Sequence, residues 1–402
     1  MKDIDGMIKK FVLENKEELI KLRREFHRYP EIGFKEFKTS KMISDYLEEL
    51  GLDVKKGIAG TGVVADINTH IDDYTVALRF DIDGLPVKEE TGLDYSSKNE
   101  GTMHACGHDG HITVGLGMAK LLCEIGEFIP ARIRLIFQPA EEGLGGAKKM
   151  VEEGVLKDPV PNLIIGFHIW PYLKTGEVGF KSGPVMAAGD EFHIKLLGKG
   201  SHGSSPHLAV DPILMAAEFI QGLQKIVSRN ISSSESAVIS IGTIEGGSSF
   251  NIIPSDIKLS GTVRVDNTDL REFIKEKMEN VLKGVTLGSG GEYEFSYESC
   301  FKLTTSCEEL VDILYKSICE SLGEDKAIHL KNCNMTSEDF SEYEEYIPGL
   351  YFFLGTGNEE KDCIYPLHNP SYRLDEDTLT TGIIVLGTLL KNISNVKAMG
   401  GK

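Results

Sequence analysis

The segment TVALRFDIDGLP, residues 75–86, predicts a buried strand from Thr75 to about Phe80 that runs into two acids and a Gly-Leu-Pro turn. The acids, Asp81 and Asp83, could simply form a turn, since aspartate is common before glycine. Their place at the end of a buried strand favours a functional site instead. Ligands bind beyond the carboxyl ends of strands in open α/β sheets, so the segment predicts an α/β protein with a site at one sheet edge.

Three more predicted strands end in side chains that can bind metals or transfer protons. ARIRLIFQPAEEGLGGAKKM, residues 131–150, is a strand to about Phe137 followed by Glu141 and Glu142, and then by a helix. NLIIGFHIW ends a strand at His168, and GLYFFLGTG is a strand followed by His368. We expect these acids and imidazoles to gather on the same edge of the sheet.

The middle of the chain has a different order of elements. From about Ala187 to about Cys300 the pattern is strand, helix, strand, strand, helix, strand, the βαββαβ order of a ferredoxin-like unit. We therefore expect a larger α/β domain in two parts, residues 1–186 and 301–402, with a small domain inserted at residues 187–300.

Composition excludes several classes of partner. The 402 residues carry 62 acidic and 43 basic side chains, a formal charge of -19, which repels nucleic acid and anionic membrane surfaces. The sequence has no secretory signal and no apolar run of membrane-spanning length, and its seven scattered cysteines fit reduced thiols. These features predict a cytoplasmic, soluble protein.

The segment HACGHDGH, residues 104–111, holds five potential metal ligands in eight positions. A polar turn before a helix is one interpretation, and a Cys106 nucleophile activated by a nearby histidine is another. A structural zinc site would need a second ligand pair of the C-x-x-C type, which is missing. A divalent metal site accounts for more of the pattern, with Cys106 and His108 joined by carboxylate and imidazole groups from later strands.

The other candidates have roles that depend on such a site. Glu141 and Glu142 could be first-turn helix acids, or one could bind the metal while the other takes a proton from water; their spacing leaves the assignment open. Asp83 could bond a ligand imidazole. In the inserted domain, His202 lies in the Gly- and Ser-rich loop GKGSHGSSPH, whereas Asn251 and Arg264 are ambiguous.

The motifs together resemble the amidohydrolase branch of the aminoacylase and carboxypeptidase metallopeptidase clan. This branch includes hippurate hydrolases, N-acetyl-diaminopimelate deacetylases and indole-acetic acid amino acid hydrolases. The resemblance extends over nearly the whole chain, in the segments FHRYPEIGFKE, DIDGLP, HACGHDGH, FQPAEEGLGGAKKM, GKGSHGSSPHLAVDP, NIIP, GTVR, TSEDF and LHNPSYRLDE. It implies a two-metal, aminopeptidase-like catalytic domain with a mixed sheet and helices on both faces. It also implies a lid domain through which such proteins form homodimers or homotetramers.

Residue by residue, the resemblance implies a role for each candidate. The metal ligands would be Cys106, His108, Glu142, His168 and His368, with Glu141 as the general base and Asp83 in support. Elsewhere in the clan a histidine takes the place of Asp81, so a ligand role is not expected for it. His202 would reach the substrate carbonyl, with Asn251 and Arg264 near the substrate carboxylate. Serines in GSHGSSPH replace the alanines that relatives often have.

The function implied is hydrolysis of N-acyl amino acids to a carboxylic acid and a free amino acid. Two divalent ions, zinc or manganese with cobalt or nickel as further options, would provide hydroxide at neutral pH, and Glu141 would accept the proton. A metallo-carboxypeptidase or dipeptidase is the main alternative, and a non-catalytic metal-binding relative is a second.

Overall fold

The computed structural model describes residues 3–68, 70–71 and 73–393, so the ends of the expected catalytic ranges, 1–2 and 394–402, lie outside the described residues. The chain forms two compact units. The first unit comprises the chain up to Val185, Thr305–Asn332 and the chain from Asp339 onward. The second unit comprises Met186–Thr304 and Cys333–Glu338.

The first unit is built on a mixed sheet of eight described strands. The strands lie side by side in the order β1-β2-β4-β3-β5-β16-β6-β15. Strands β4, β3, β5 and β16 run parallel to one another. The pairs β1 with β2, β2 with β4 and β6 with β16 are antiparallel. The strands, numbered along the chain, are β1 Val54–Ile58, β2 Gly62–Ile67, β3 Thr75–Asp81, β4 Arg132–Gln138, β5 Leu163–Lys174, β6 Val178–Phe180, β15 Ala327–His329 and β16 Gly349–Gly357.

Helices cover both faces of this sheet. Side chains alternate between the two faces along a strand. On one face, Leu78 and Leu135 join the main apolar core with α1, α2, α3, α7 and α9. On the other face, Gln138 accepts a hydrogen bond of 3.0 Å from the Tyr343 hydroxyl of α8. The helices of this unit are α1 Ile4–Arg28, α2 Phe37–Glu49, α3 His108–Ile125, α4 Gly146–Glu152, α7 Glu308–Ser321, α8 Ser341–Glu344 and α9 Asp377–Asn392.

The second unit has the βαββαβ order of a ferredoxin-like domain. Its four-stranded antiparallel sheet runs β10-β12-β8-β13 and shares a core with both of its helices, to which Phe192, Phe219 and Leu282 contribute. Its elements are β8 Ala188–Leu197, β9 Ser201–His202, α5 Pro212–Lys225, β10 Ala237–Gly246, β11 Ile252–Ile253, β12 Asp256–Val265, α6 Thr268–Ser289 and β13 Glu292–Phe301. Two short strands, β7 Gly183–Met186 and β14 Thr304–Ser306, lie where the chain passes between the units.

The predicted fold class is confirmed, with differences in detail. Strand β5 continues past His168 to Lys174, because β16 pairs with it as far as Gly357. The helix predicted after Glu142 is α4, which ends at Glu152. No helix among the described residues is long and apolar enough to cross a membrane.

Candidate metal centre

The candidate metal centre is assembled from the carboxyl ends of the parallel strands of the first unit. The acids Asp81 and Asp83 follow β3, the loop with Cys106 leads into α3, and Glu141 and Glu142 lie between β4 and α4. The last two side chains are His168 inside β5 and His368 in the loop after β16. Residues as far as 262 positions apart in the sequence thereby lie within hydrogen-bonding distance of each other.

Cys106 lies between two imidazoles. Its Sγ is 3.3 Å from Nε2 of His168 and 3.3 Å from Nε2 of His368. Nδ1 of His168 donates to the carbonyl of Ile169 at 2.7 Å, which leaves the lone pair on the nitrogen that faces the sulfur. The backbone N–H of His368, a residue with φ 65°, donates to the carbonyl of Ala105 at 2.8 Å. This bond holds His368 beside the loop that carries Cys106.

His108 is oriented by Asp83. Helix α3 begins at His108, directly after Gly107, whose φ of 86° belongs to the left-handed region that favours glycine. Nδ1 of His108 lies 3.0 Å from the carbonyl oxygen of Asp83 and 3.2 Å from its Oδ1, and since both oxygens accept, Nδ1 donates. In the neutral ring Nε2 of His108 therefore carries the lone pair, and Nε2 is buried without a hydrogen-bond partner among the described residues.

The two adjacent glutamates have different surroundings. Oε1 of Glu142 is buried 3.3 Å from Nε2 of His368, and the backbone N–H of Glu142 donates to Oδ2 of Asp83 at 3.0 Å. Glu141 is 7 % exposed, and one of its carboxylate oxygens lies within 4.8 Å of ligand atoms of His108 and Glu142. The structure thus brings both glutamates, Asp83 and all three of the predicted ligand imidazoles to one place.

The donor atoms form groups that fit a pair of divalent ions. Cys106, His108 and His168 make one group and Cys106, Glu142 and His368 another, each with donor atoms within 4.8 Å of one another. Cys106 belongs to both groups. The unbonded Nε2 of His108 and Oε1 of Glu142 are buried polar atoms that a cation would satisfy. Thiolate, imidazole and carboxylate together are a donor set for divalent transition metals.

The electrostatics of the centre also favour bound cations. Burial and the nearby carboxylates of Glu142 and Glu141 raise the pKa of Cys106 well above that of an ordinary thiol. Burial lowers the pKa of His108, but the carboxylates of Asp81 and Asp83 outweigh this and raise it to about 10. Metal binding would release both protons, because only the thiolate and the neutral imidazole are ligands.

Asp81 and His111 support the metal centre through buried hydrogen bonds. Asp81 accepts a bond of 2.6 Å from Nη1 of Arg79 and is bonded to Nδ1 of His111. Nε2 of His111 accepts the backbone N–H of Ile169 at 2.9 Å, so both of its nitrogens are engaged. His111 therefore ties the residue next to His168 to strand β3 and acts as a positioning residue.

The remaining predicted residues lie in the second unit. Strand β9 pairs with β11 so that His202 faces Ile252, next to Asn251, and both His202 and Asn251 are exposed. Nδ1 of His202 accepts bonds from the hydroxyl of Ser204 at 2.8 Å and from its backbone N–H at 3.1 Å. Two donors at Nδ1 require the proton of the neutral ring to lie on Nε2.

Arg264 occupies β12 opposite Gly189. Its half-buried guanidinium donates to the backbone carbonyl of Val263 at 3.1 Å and pairs with no carboxylate among the described residues. The neighbouring Asp190 is instead bonded to Arg271, at 2.9 Å, and to the Tyr297 hydroxyl, at 2.7 Å. Arg264 is therefore a cation able to receive an anionic group.

Three carboxylates bond to backbone N–H groups in the loop between β4 and α4 and at the start of α4. The sequence predicted a role for Asp83 but none for the other two, Glu36 and Asp339. Glu36 accepts the N–H of Ala140 at 2.9 Å and Asp339 that of Ala147 at 2.9 Å, in addition to the bond from Glu142 to Asp83. Glu36 and Asp339 lie in the motifs FHRYPEIGFKE and TSEDF, which carried only the resemblance.

Comparison with known proteins shows the family. Residues 77–392 match the model of Peptidase family M20/M25/M40, and the chain belongs to this family. The sequence is 39% identical to thermostable carboxypeptidase 1 of Saccharolobus solfataricus, over 98% of this chain and 100% of that protein. It is 38% identical to an N-acetylcysteine deacetylase of Bacillus subtilis, over 92% of this chain and 97% of that protein.

The fold is similar to that of a solved Bacillus subtilis structure described as a dinuclear metal binding peptidase from the M20 family. The TM-score is 0.82 at 34% identity, with 95% of this chain and 98% of that chain covered. The predicted resemblance to the amidohydrolase branch is confirmed. The protein is a metal-dependent hydrolase that acts on amide bonds, and its donor groups support two metal ions.

Proposed function

We propose that the protein hydrolyses the amide bond of N-acyl amino acids and releases a carboxylic acid and a free amino acid. The observation that carries the proposal is the pair of donor groups that share Cys106, with Glu141 beside His108 and Glu142. Metal-assisted hydrolysis requires one carboxylate to bind the ion and a second to take the proton of the attacking water.

The proposed ligands are Cys106, His108, Glu142, His168 and His368. When bound, the two ions supply Lewis acidity that activates water near neutral pH. Glu141 accepts the proton of the attacking water and passes it to the leaving amine, and Asp83 keeps His108 and the backbone of Glu142 in place. A donor set containing a thiolate favours zinc, while the carboxylate is compatible with manganese.

The second unit contributes recognition in this proposal. His202, with its proton on Nε2, donates to the substrate carbonyl oxygen, where one such donor contributes on the order of 3 kcal/mol to the transition state. Arg264 and Asn251 receive the substrate carboxylate; support for this role comes from the lack of a carboxylate partner for Arg264 among the described residues. We also propose that residues 187–300 act as a lid through which the protein forms a homodimer or homotetramer.

A second candidate function is that of a metallo-carboxypeptidase or dipeptidase. The similarity to thermostable carboxypeptidase 1 favours it. The chemistry at the metal centre would be the same, since both substrates place an amide next to an amino acid with a free carboxylate. The two functions differ only in the acyl part of the substrate.

A substrate panel separates the two candidates. The enzyme is reconstituted with zinc, manganese, cobalt or nickel alone, and release of free amino acid is measured from N-acetyl and N-benzoyl amino acids and from dipeptides. We expect a kcat/KM for the N-acyl amino acids at least about tenfold above that for dipeptides, a difference of about 1.4 kcal/mol. A preference for dipeptides would establish the peptidase, and hydrolysis of neither would contradict both proposals.

A further inference from the structure

Glu36 is a buried acid whose side chain does not cap the helix that it precedes. It is 0 % exposed and directly precedes α2, yet its carboxylate bonds to no described backbone N–H of that helix. The helix is held at its start by Glu31 instead, which accepts the N–H groups of Lys38 at 3.2 Å and Thr39 at 2.9 Å. The Glu36 side chain is therefore available for a different task.

The Glu36 carboxylate reaches the loop that carries both glutamates of the metal centre. Oε1 accepts the backbone N–H of Ala140 at 2.9 Å, and Oε2 accepts the hydroxyl of Thr61 at 2.6 Å. Ala140 has φ 56°, a left-handed conformation that residues other than glycine adopt only when their surroundings hold them there. It immediately precedes Glu141.

The packing around this bond is close. A Cβ at Gly33 would lie 3.0 Å from Cα of Ala140 and 2.7 Å from Cδ1 of Leu144, so the turn before α2 touches the loop along its length. Asp83 bonds the N–H of Glu142 from the other side. The Pro139–Ala140 and Glu141–Glu142 peptide groups, which flank the Ala140–Glu141 peptide, are thus each fixed by a buried carboxylate.

Fold stability alone does not account for a carboxylate in this position. Glu36 forms no ion pair with a described cation, and burial without a cation disfavours the charged form of a carboxyl group. An apolar side chain would fill the same interior without this penalty. Glu36 also lies outside residues 77–392, the part of the chain that matches the family model.

We propose that Glu36 is a positioning residue for the metal centre: through the N–H of Ala140 it holds the loop in the conformation that aims Glu141 at the reacting water and Glu142 at the metal. The part that concerns Glu141 rests on the proposed function. The part that concerns Glu142 rests only on metal binding and is measured without a substrate.

The test compares four variants in the full-length protein. Glu36→Ala removes the bond to Ala140, and Glu36→Asp keeps the charge but shortens the reach. Glu36→Gln restores the geometry, since its amide oxygen accepts from Ala140 and its amide N–H donates to Thr61. Glu31→Ala is the matched control, because it removes an acid of the same segment whose side chain, among the described residues, bonds only to Lys38 and Thr39 at the start of α2.

Zinc affinity is measured by chelator competition, the geometry of the centre by the absorption spectrum of the cobalt-loaded protein, and kcat and KM on metal-saturated enzyme. We expect Glu36→Ala and Glu36→Asp to lose about 10- to 100-fold in zinc affinity or kcat, with an altered cobalt spectrum and a KM within about threefold of the wild-type value. Glu36→Gln and Glu31→Ala should stay within about threefold in all of these quantities.

Two results would overturn the proposal. One is wild-type zinc affinity, cobalt spectrum and kcat in both Glu36→Asp and Glu36→Ala. The other is an equal loss in Glu31→Ala, which would show that any weakening of this segment has the same effect. If the wild-type protein hydrolyses none of the substrates, the proposed function fails, while the zinc and cobalt measurements still decide the role of Glu36.

Discussion

Glu141 and Glu142 are neighbours in sequence, but the structure surrounds them differently. Oε1 of Glu142 is directed at Nε2 of His368, and its peptide N–H is bonded to Asp83. Glu141 lies near His108 and Glu142 and is not among the groups that share Cys106. This difference supports the division of the pair into a ligand and a base.

The division predicts separate effects of substitution. Glu141→Gln keeps the shape of the side chain, so we expect two bound ions per chain and a kcat lowered by about 10²- to 10⁴-fold, the usual contribution of a general base. Glu142→Ala should lose bound metal as well as activity. Metal analysis of both purified variants checks this, and normal metal content in Glu142→Ala would contradict the ligand assignment.

Glu36 also makes stability depend on pH. Burial raises its pKa to about 7, with a further contribution from the carboxylate of Asp83, although the bonds from Thr61 and Ala140 oppose the shift. Between about pH 4.5 and 7 the folded protein keeps a proton that the unfolded chain has lost, so this residue lowers the free energy of unfolding as pH rises.

Glu36→Gln does not titrate and should remove this dependence. Relative to the wild type, we expect the variant to gain up to about 3 kcal/mol in unfolding free energy between about pH 4.5 and about pH 8. Urea unfolding at both pH values measures the gain. If the unfolding free energies of variant and wild type differ by the same amount at both pH values, Glu36 is charged throughout this range.

At the scale of elements, the start of α3 is anchored to α1 by buried charges. Oδ2 of Asp109 lies 2.8 Å from Nε of Arg23 and 2.6 Å from Nδ1 of His27, and all three side chains are buried. Since Asp109 follows His108, these contacts tie the first turn of α3 to the N-terminal helix.

Removing Asp109 should therefore destabilise the fold strongly. Asp109→Ala leaves buried Arg23 with only the more distant carboxylate of Glu376, at 3.7 Å, and removes a carboxylate partner of His27, so we expect a loss of about 3 to 5 kcal/mol. Lys120→Ala is the control, because its ion pair with Glu18 joins the same two helices at 2.7 Å on the surface and contributes less than about 1 kcal/mol. Chemical unfolding of both variants measures the difference, and equal losses would contradict the buried anchor.

The elements show which parts of the structure are predictable from sequence. Strands such as β3 and β16 are apolar runs bounded by turn residues, and their carboxyl ends must meet at one edge, so the grouping of Cys106 with His168 and His368 could be expected. The bond from Ala140 to Glu36 could not, because it joins a side chain to a backbone group 104 residues away. No periodicity encodes such a contact, which depends on tertiary placement.

The length of β5 and the start of α3 were missed for a related reason. Pairing with β16 extends β5 beyond the predicted end at His168, and the left-handed Gly107 starts α3 before the apolar residues that signalled the helix. In both cases a contact with a neighbour, or one backbone angle, sets the boundary rather than the local pattern.

For the whole molecule, bound metal should contribute to stability as well as to activity. Ions that bind the folded protein and not the unfolded chain raise the free energy of unfolding, by about 2.7 kcal/mol for a site at a ligand concentration of 100 times Kd. We expect treatment with a chelator to abolish amide hydrolysis and lower Tm, with both restored by added zinc or manganese. Activity that survives complete removal of metal would support a Cys106 nucleophile instead.

The first unit is made from both ends of the chain: α9, near the C-terminus, packs in one core with α1, and β16 lies between β5 and β6. On the ribosome, strands β1 to β5, which end by Lys174, must therefore wait for β16, which begins at Gly349, before their sheet is complete. Most of the second unit is one continuous segment and has no such delay. A nascent chain that stalls after β13 lacks β16 and α9, so we expect slow synthesis of the residues after β13 to increase the fraction of this protein that aggregates.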